Sequence, residues 1–335
     1  MGTEHNVRLT SAEISQLWTS YMNDSFTICI VKYFLNNVED TEIKSVLKYA
    51  LELAESHIPK LTKIFNYEKF PIPQGFNVNQ DVNVNAPRLF SDTYYLNFIA
   101  QYGKIGLNAN SEGVALAVRD DVDKYYTECL TESMKLHRMA NEVLLSKGLY
   151  VRPPNIPMPE DVEFVKKKSF LAGFFGDVRP LSALEITNLY ANIQRNALGT
   201  ATLIGYIQVT KNKDVKEFLV QGKDISVNAI ESFGQKLKID NLPIPMTWDG
   251  EVTESTTNPF SDKLIMFQIC SLISIGLGYY GLGLATSPRR DIGLLYNQKI
   301  VEIQPYASKG AKIMIENEWM EQPPLASDRD KLANQ

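Results

Sequence analysis

The chain has 335 residues, 44% of them hydrophobic and 22% charged, with a net charge of −5. That composition excludes a disordered, collagen-like or disulfide-scaffold protein. An acidic balance with no basic block excludes a dedicated nucleic-acid binder, which needs clustered cations to replace phosphate counterions. At about 150 residues per domain, two domains are the starting expectation.

The N-terminus, Met1-Gly2-Thr3-Glu4-His5-Asn6, is polar and lacks the basic and apolar regions of a secretory signal. Asn6 stands where myristoylation of Gly2 would want Ser or Thr. Cys29, Cys129 and Cys270 are far apart and odd in number. They read as buried reduced thiols, and the expected compartment is the cytoplasm.

The first helix starts at a capping box, Thr10 with Glu13, with Leu9 and Ile14 as a hydrophobic staple. It continues through Leu17, Tyr21, Asp24, Ile28, Val31 and Leu35, spaced by three and four. The second helix begins near Asp40 and carries Ile43, Leu47, Ala50, Ala54, His57, Leu61 and Ile64 on one seam. A Pro- and Asn-rich loop fills 70–89. The third helix starts at Ser91-Asp92. The fourth starts near Asp121 and carries Val122, Tyr126, Cys129, Ser133, Leu136, Ala140 and Val143.

The pattern then repeats. Leu9-Thr10-Ser11-Ala12-Glu13-Ile14 returns 172 residues later as Leu181-Ser182-Ala183-Leu184-Glu185-Ile186, and Phe70-Pro71-Ile72-Pro73 returns at the same offset as Leu242-Pro243-Ile244-Pro245. Phe90-Ser91-Asp92 returns at an offset of 170 as Phe260-Ser261-Asp262, and so do Arg119 and Asp121 as Arg289 and Asp291. The expected fold is all-α, a tandem duplication of two up-and-down four-helix bundles. The first spans 1–152, a Pro-rich then apolar linker spans 153–180, and the second spans 181–335. Glycines recur at aligned places, Gly106 with Gly276 and Gly113 with Gly283, which suggests close helix approach. The uncharged run after Leu264 is long enough to cross a bilayer, but a fully buried bundle helix explains it better, so no membrane span is expected. The linker ends in Phe170-Leu171-Ala172-Gly173-Phe174-Phe175-Gly176. This segment either packs in the groove between the bundles or serves self-association or a protein partner.

Several motifs fail. Gly276-Leu277-Gly278-Tyr279-Tyr280-Gly281 fits a dinucleotide fingerprint but lacks the strand that must precede it. Phosphate-loop, nucleophile-elbow and His-Glu-x-x-His patterns are absent, and so is the Glu-x-x-His of di-iron bundles. One constellation remains. Asp24, His57 and Glu132 fall on inner seams at similar heights, with Glu128 and His137 as further candidates. Ionisable groups enter a bundle core only when they are paired or ligating. The set therefore reads as a hydrogen-bonded core pair, or as ligands for one divalent transition metal, Zn, Mn or Fe. A metal-dependent enzyme would also need an open coordination position and a base, which the residues do not show. The second half carries Asn196, Ala229, Gln298 and Ala307 at four of these places and keeps only Glu302. Whether a small-molecule ligand binds is left open by these residues.

The stretches Tyr21-Met22-Asn23-Asp24-Ser25, Met246-Thr247-Trp248-Asp249 and Asn258-Pro259-Phe260-Ser261-Asp262-Lys263 resemble the domain-of-unknown-function 3231 family of spore-forming Gram-positive bacteria. So does the run from Leu145 to Pro154. The resemblance implies tandem four-helix bundles, classed as metalloprotein-like, with no established activity. It also implies histidines in the second repeat where this chain has Asn188, Ala229 and Gln268, and so a metal site in the first bundle alone.

Overall fold

The computed structural model describes residues 7–174 and 178–334. The N-terminal reading on Gly2, and the Phe175 and Gly176 end of the apolar linker, lie outside them.

The chain is all-α. Among the described residues there are two isolated β-bridges and no strand. The first half contains α1 (Ser11–Asn37), α2 (Thr41–Tyr67), a single turn α3 (Val78–Asp81), α4 (Asp92–Leu116) and α5 (Asp120–Ser146). The second contains α6 (Ala183–Val209), α7 (Lys213–Ile239), α8 (Asp262–Ala285) and α9 (Arg290–Glu316), followed by the short α10 (Arg329–Ala333). Both capping boxes form, at Thr10 with Glu13 and at Ser182 with Glu185.

The capping glutamates also close each bundle. The second carboxylate oxygen of Glu13 accepts from the backbone of Val118 and Arg119, both at 2.9 Å. The start of α1 is thereby fixed against the α4–α5 turn. At the other end Asp92 accepts from Glu39 and Asp40 in the α1–α2 turn, at 3.1 and 2.7 Å. Hence α4 runs antiparallel to α1 and parallel to α2. Each helix pair is an up-and-down hairpin, and the long 68–91 connection returns along the bundle to start the second pair. Glu185 accepts from Arg289 at 3.0 Å in the second half, which gives the same order.

The two halves share one hydrophobic core. Phe26 meets Phe267 with ring centroids 5.6 Å apart, and Tyr33 meets Phe260 at 5.0 Å. The connecting loops pair across the junction, Val82 with Phe260 and Phe90 with Val252. At the offset of 170 these two pairs exchange into each other, so the halves are related by a pseudo-two-fold axis.

Two expectations need revision. A Cβ on Gly106, Gly113 or Gly283 would collide with Ser133, Tyr126 or Tyr296, as close packing requires, but one on Gly276 meets nothing within 4 Å. The apolar helix α8 is not fully buried. Only 33% of its most apolar window is covered: residues such as Gly276 border a cavity, and Leu282 and Leu284 lie exposed outside it. The described part of the apolar linker lies at the start of α9. Phe170 lies under Arg179, and Gly173 abuts Asp291 at the start of α9, while Phe174 is 53% exposed.

Candidate metal centre

Four side chains from three helices meet in the first bundle. His57 of α2 stands between Asp24 of α1 and Glu132 of α5. Its Nδ1 is 3.2 Å from Asp24 Oδ2 and its Nε2 is 2.7 Å from Glu132 Oε2. Cys129 Sγ lies 3.5 Å from the same Nε2. Asp24 and His57 are 6% and 8% exposed. The edge of the Tyr125 ring covers the imidazole, with centroids 5.8 Å apart.

Burial raises the Asp24 carboxyl, and the His57 contact only partly offsets it. Burial alone would lower His57. Hydrogen bonds to Asp24, Cys129 and Glu132 outweigh it and push the imidazole up to about 12. We place the shared proton on the ring, because a doubly protonated imidazole donates to a carboxylate at each nitrogen.

The structure brings Asp24, His57 and Glu132 together and leaves Glu128 and His137 elsewhere. Glu128 faces outward and accepts from Lys60 at 2.6 Å. His137 packs its backbone on Gly103 and accepts at Nε2 from Asn141 at 3.0 Å. Burial, with nearby Lys104, pushes it down, so the ring is neutral.

Cys129 is the residue that sequence reasoning missed. A lone cysteine on an apolar seam reads as core. The available signal was its position three residues before Glu132, which puts both on one face of α5. The ligand atoms of His57, Cys129 and Glu132 lie within 4.8 Å of one another.

The second half answers the same geometry differently. Lys299 occupies the place of Cys129, is 5% exposed, and donates to Glu302 at 2.9 Å and to Asn228. Asn196, in place of Asp24, donates to Tyr280 Oη at 2.8 Å. The Gly276–Gly281 fingerprint lies inside α8, which rules out its dinucleotide reading.

Residues 1–162 and 169–332 each match the family described as protein of unknown function (DUF3231). The chain belongs to the DUF3231 family. A search among curated proteins gives no match. Among solved structures, a Bacillus halodurans C-125 protein described as a candidate spore coat protein is similar, at 17% identity and a TM-score of 0.41. The likeness covers 47% of this chain and 100% of that one.

Proposed function

We propose that this DUF3231 protein is a non-catalytic, cytoplasmic metal-binding protein with one site, in the first bundle. The convergence of an imidazole, a thiol and a carboxylate in a buried place carries the reading. Nitrogen, sulfur and oxygen donors together suit zinc first, with iron or manganese as weaker fits. His57 Nε2, Cys129 Sγ and Glu132 would hold the ion. Asp24, at the other imidazole nitrogen, would orient the ring from behind, as carboxylates do for metal-bound histidines. When bound, the ion would supply a fixed positive charge between α2 and α5, replacing the proton on His57.

Elemental analysis of untagged protein tests this. About one ion per chain is expected for the wild type after zinc exposure and desalting, and under about 0.1 for Cys129→Ser and His57→Ala. A wild type with under about 0.1 ion per chain would sink the proposal.

A specific observation favours a second reading, an interaction or structural protein in spore or stress physiology. Lys299 neutralises Glu302 with no metal, and protonated His57 can do the same for Glu132. On that reading the cluster only fixes helix register.

A further inference from the structure

A cavity of about 280 Å³ runs between the two halves. Equivalent positions line it from each side, Asp24 with Asn196 and Gly106 with Gly276 among them. It therefore lies across the pseudo-two-fold axis and belongs to neither bundle alone.

Three features distinguish it from a packing defect. Gly199 and Gly276 border it from the interiors of α6 and α8, and a Cβ on either would meet no heavy atom within 4 Å. Glycine destabilises a helix interior relative to alanine, and no neighbour within the protein requires it here.

Two nine-tenths-buried polar side chains on the wall also have unpaired atoms among the described residues. They are Gln268 Nε2, on a residue 4% exposed, and Tyr306 Oη, on a residue 3% exposed. Buried polar atoms are rarely left without a partner, so each marks a place where a ligand atom fits.

The third feature is a cation. Arg195 lines the cavity, lies 3.5 Å over the Tyr279 ring and reaches Asn192 Oδ1 at 3.3 Å. Among the described residues no carboxylate pairs with Arg195 or with nearby Lys104. Burial and then mutual repulsion lower Lys104. Asn108 of the other half donates to Tyr279 Oη at 2.8 Å and fixes the ring under the guanidinium.

Cation and unpaired atoms stand at opposite ends. Asn196, next to Arg195, contacts Tyr280, whereas Tyr206 donates to Gln268. Those levels of α6 are ten residues, or about 15 Å, apart. The wall between them is apolar, with Leu198, Ile225, Ile269 and Ile273.

We propose that this cavity binds a single-chain amphiphile of medium-chain carboxylate size, with an anionic head and a hydroxyl at its far end. The head would lie at Arg195, the chain would run between the bundles, and the hydroxyl would meet Gln268 Nε2 and Tyr306 Oη. At about 30 Å³ per water-sized group, the volume admits at least roughly nine chain carbons.

Calorimetric titration of the full chain tests this with decanoate, ω-hydroxydecanoate, decan-1-ol and decyltrimethylammonium below their micellar concentrations. Decanoate is expected to bind once and saturably, ω-hydroxydecanoate more tightly because its hydroxyl meets the unpaired atoms, and decanol at least about tenfold more weakly than decanoate. The cation is expected not to bind. Arg195→Met should weaken decanoate by about tenfold or more and leave decanol unchanged. Gly199→Leu with Gly276→Leu should remove binding of both while leaving the thermal midpoint unchanged or raised, since both side chains enter open space. Cys129→Ser, whose side chain does not line the cavity, should lose zinc but bind decanoate like the wild type, so failure of the metal reading and failure of this one are separable. Absence of saturable decanoate binding, equal binding of the cationic amphiphile, or full binding by the filled variant would overturn the proposal.

Discussion

Glu132 and Glu302 occupy the same place in the two halves, and each faces a buried cation. His57 Nε2 lies 2.7 Å from the first and Lys299 Nζ 2.9 Å from the second. The duplication preserved the carboxylate and let the source of positive charge diverge. Lysine fixes that charge permanently. Histidine holds it as a proton that a metal can displace.

Removing either cation strands a carboxylate, but the costs should differ. His57→Ala leaves Asp24 and Glu132, whose side chains are only 9% and 20% exposed, so it should cost about 3 kcal/mol or more. Glu302 is 38% exposed and can hydrate, so Lys299→Met should cost about 1 kcal/mol. Urea unfolding of the two variants checks the order, and a larger loss for Lys299→Met would contradict the burial argument.

Metal uptake should release protons, because the imidazole and thiol must shed theirs to ligate. In weakly buffered solution near neutral pH, zinc addition should liberate between about one and two protons per ion. Cys129→Ser should reduce both the release and the affinity. Zinc binding with no proton release would place the ion elsewhere.

Acid should weaken the second bundle through Glu185. Burial alone would raise this carboxyl. Arg179, the backbone N–H groups of Ser182 and Arg289, and the Ser182 hydroxyl together hold it at about 2, against an ordinary 4.5. A lowered folded pKa gives stability that is complete above the ordinary value and lost as pH falls through the folded one. The stability gap between wild type and Glu185→Gln should therefore stay constant from pH 5 to pH 8. It should shrink between 4.5 and about 2. A gap that widens in acid would reverse the assigned sign.

Much of this was legible in the sequence, because capping chemistry and duplication are local or colinear signals. Thr10 with Glu13, and Ser182 with Glu185, announce their helices, and His57 and Asp24 declare themselves as ionisable groups on apolar seams. What stayed hidden depends on contacts between distant elements. Nothing near Glu13 says that its spare oxygen will bind the Val118 and Arg119 backbone. Gly276 reads as a packing glycine until its empty surroundings are visible, and the apolar run of α8 does not reveal that a cavity borders it.

The pseudo-two-fold junction yields the last prediction. Phe26, Phe90 and Tyr94 are at most 7% exposed in the whole chain, and partners in the second half supply part of that cover. Phe267 packs on Phe26, Tyr206 on Phe90, and Thr202 meets Tyr94 Oη at 2.7 Å. Residues 7–162 alone would expose this surface, an apolar patch that a monomer rarely tolerates. Because the bridges Val82 to Phe260 and Phe90 to Val252 interchange under the axis, a second copy of the same half presents nearly the matching surface. Light scattering of that fragment should report a dimer, and Phe26→Asp should shift it to monomer or unfold it. A stable wild-type monomer would show that each bundle closes its own core and that the shared one is dispensable.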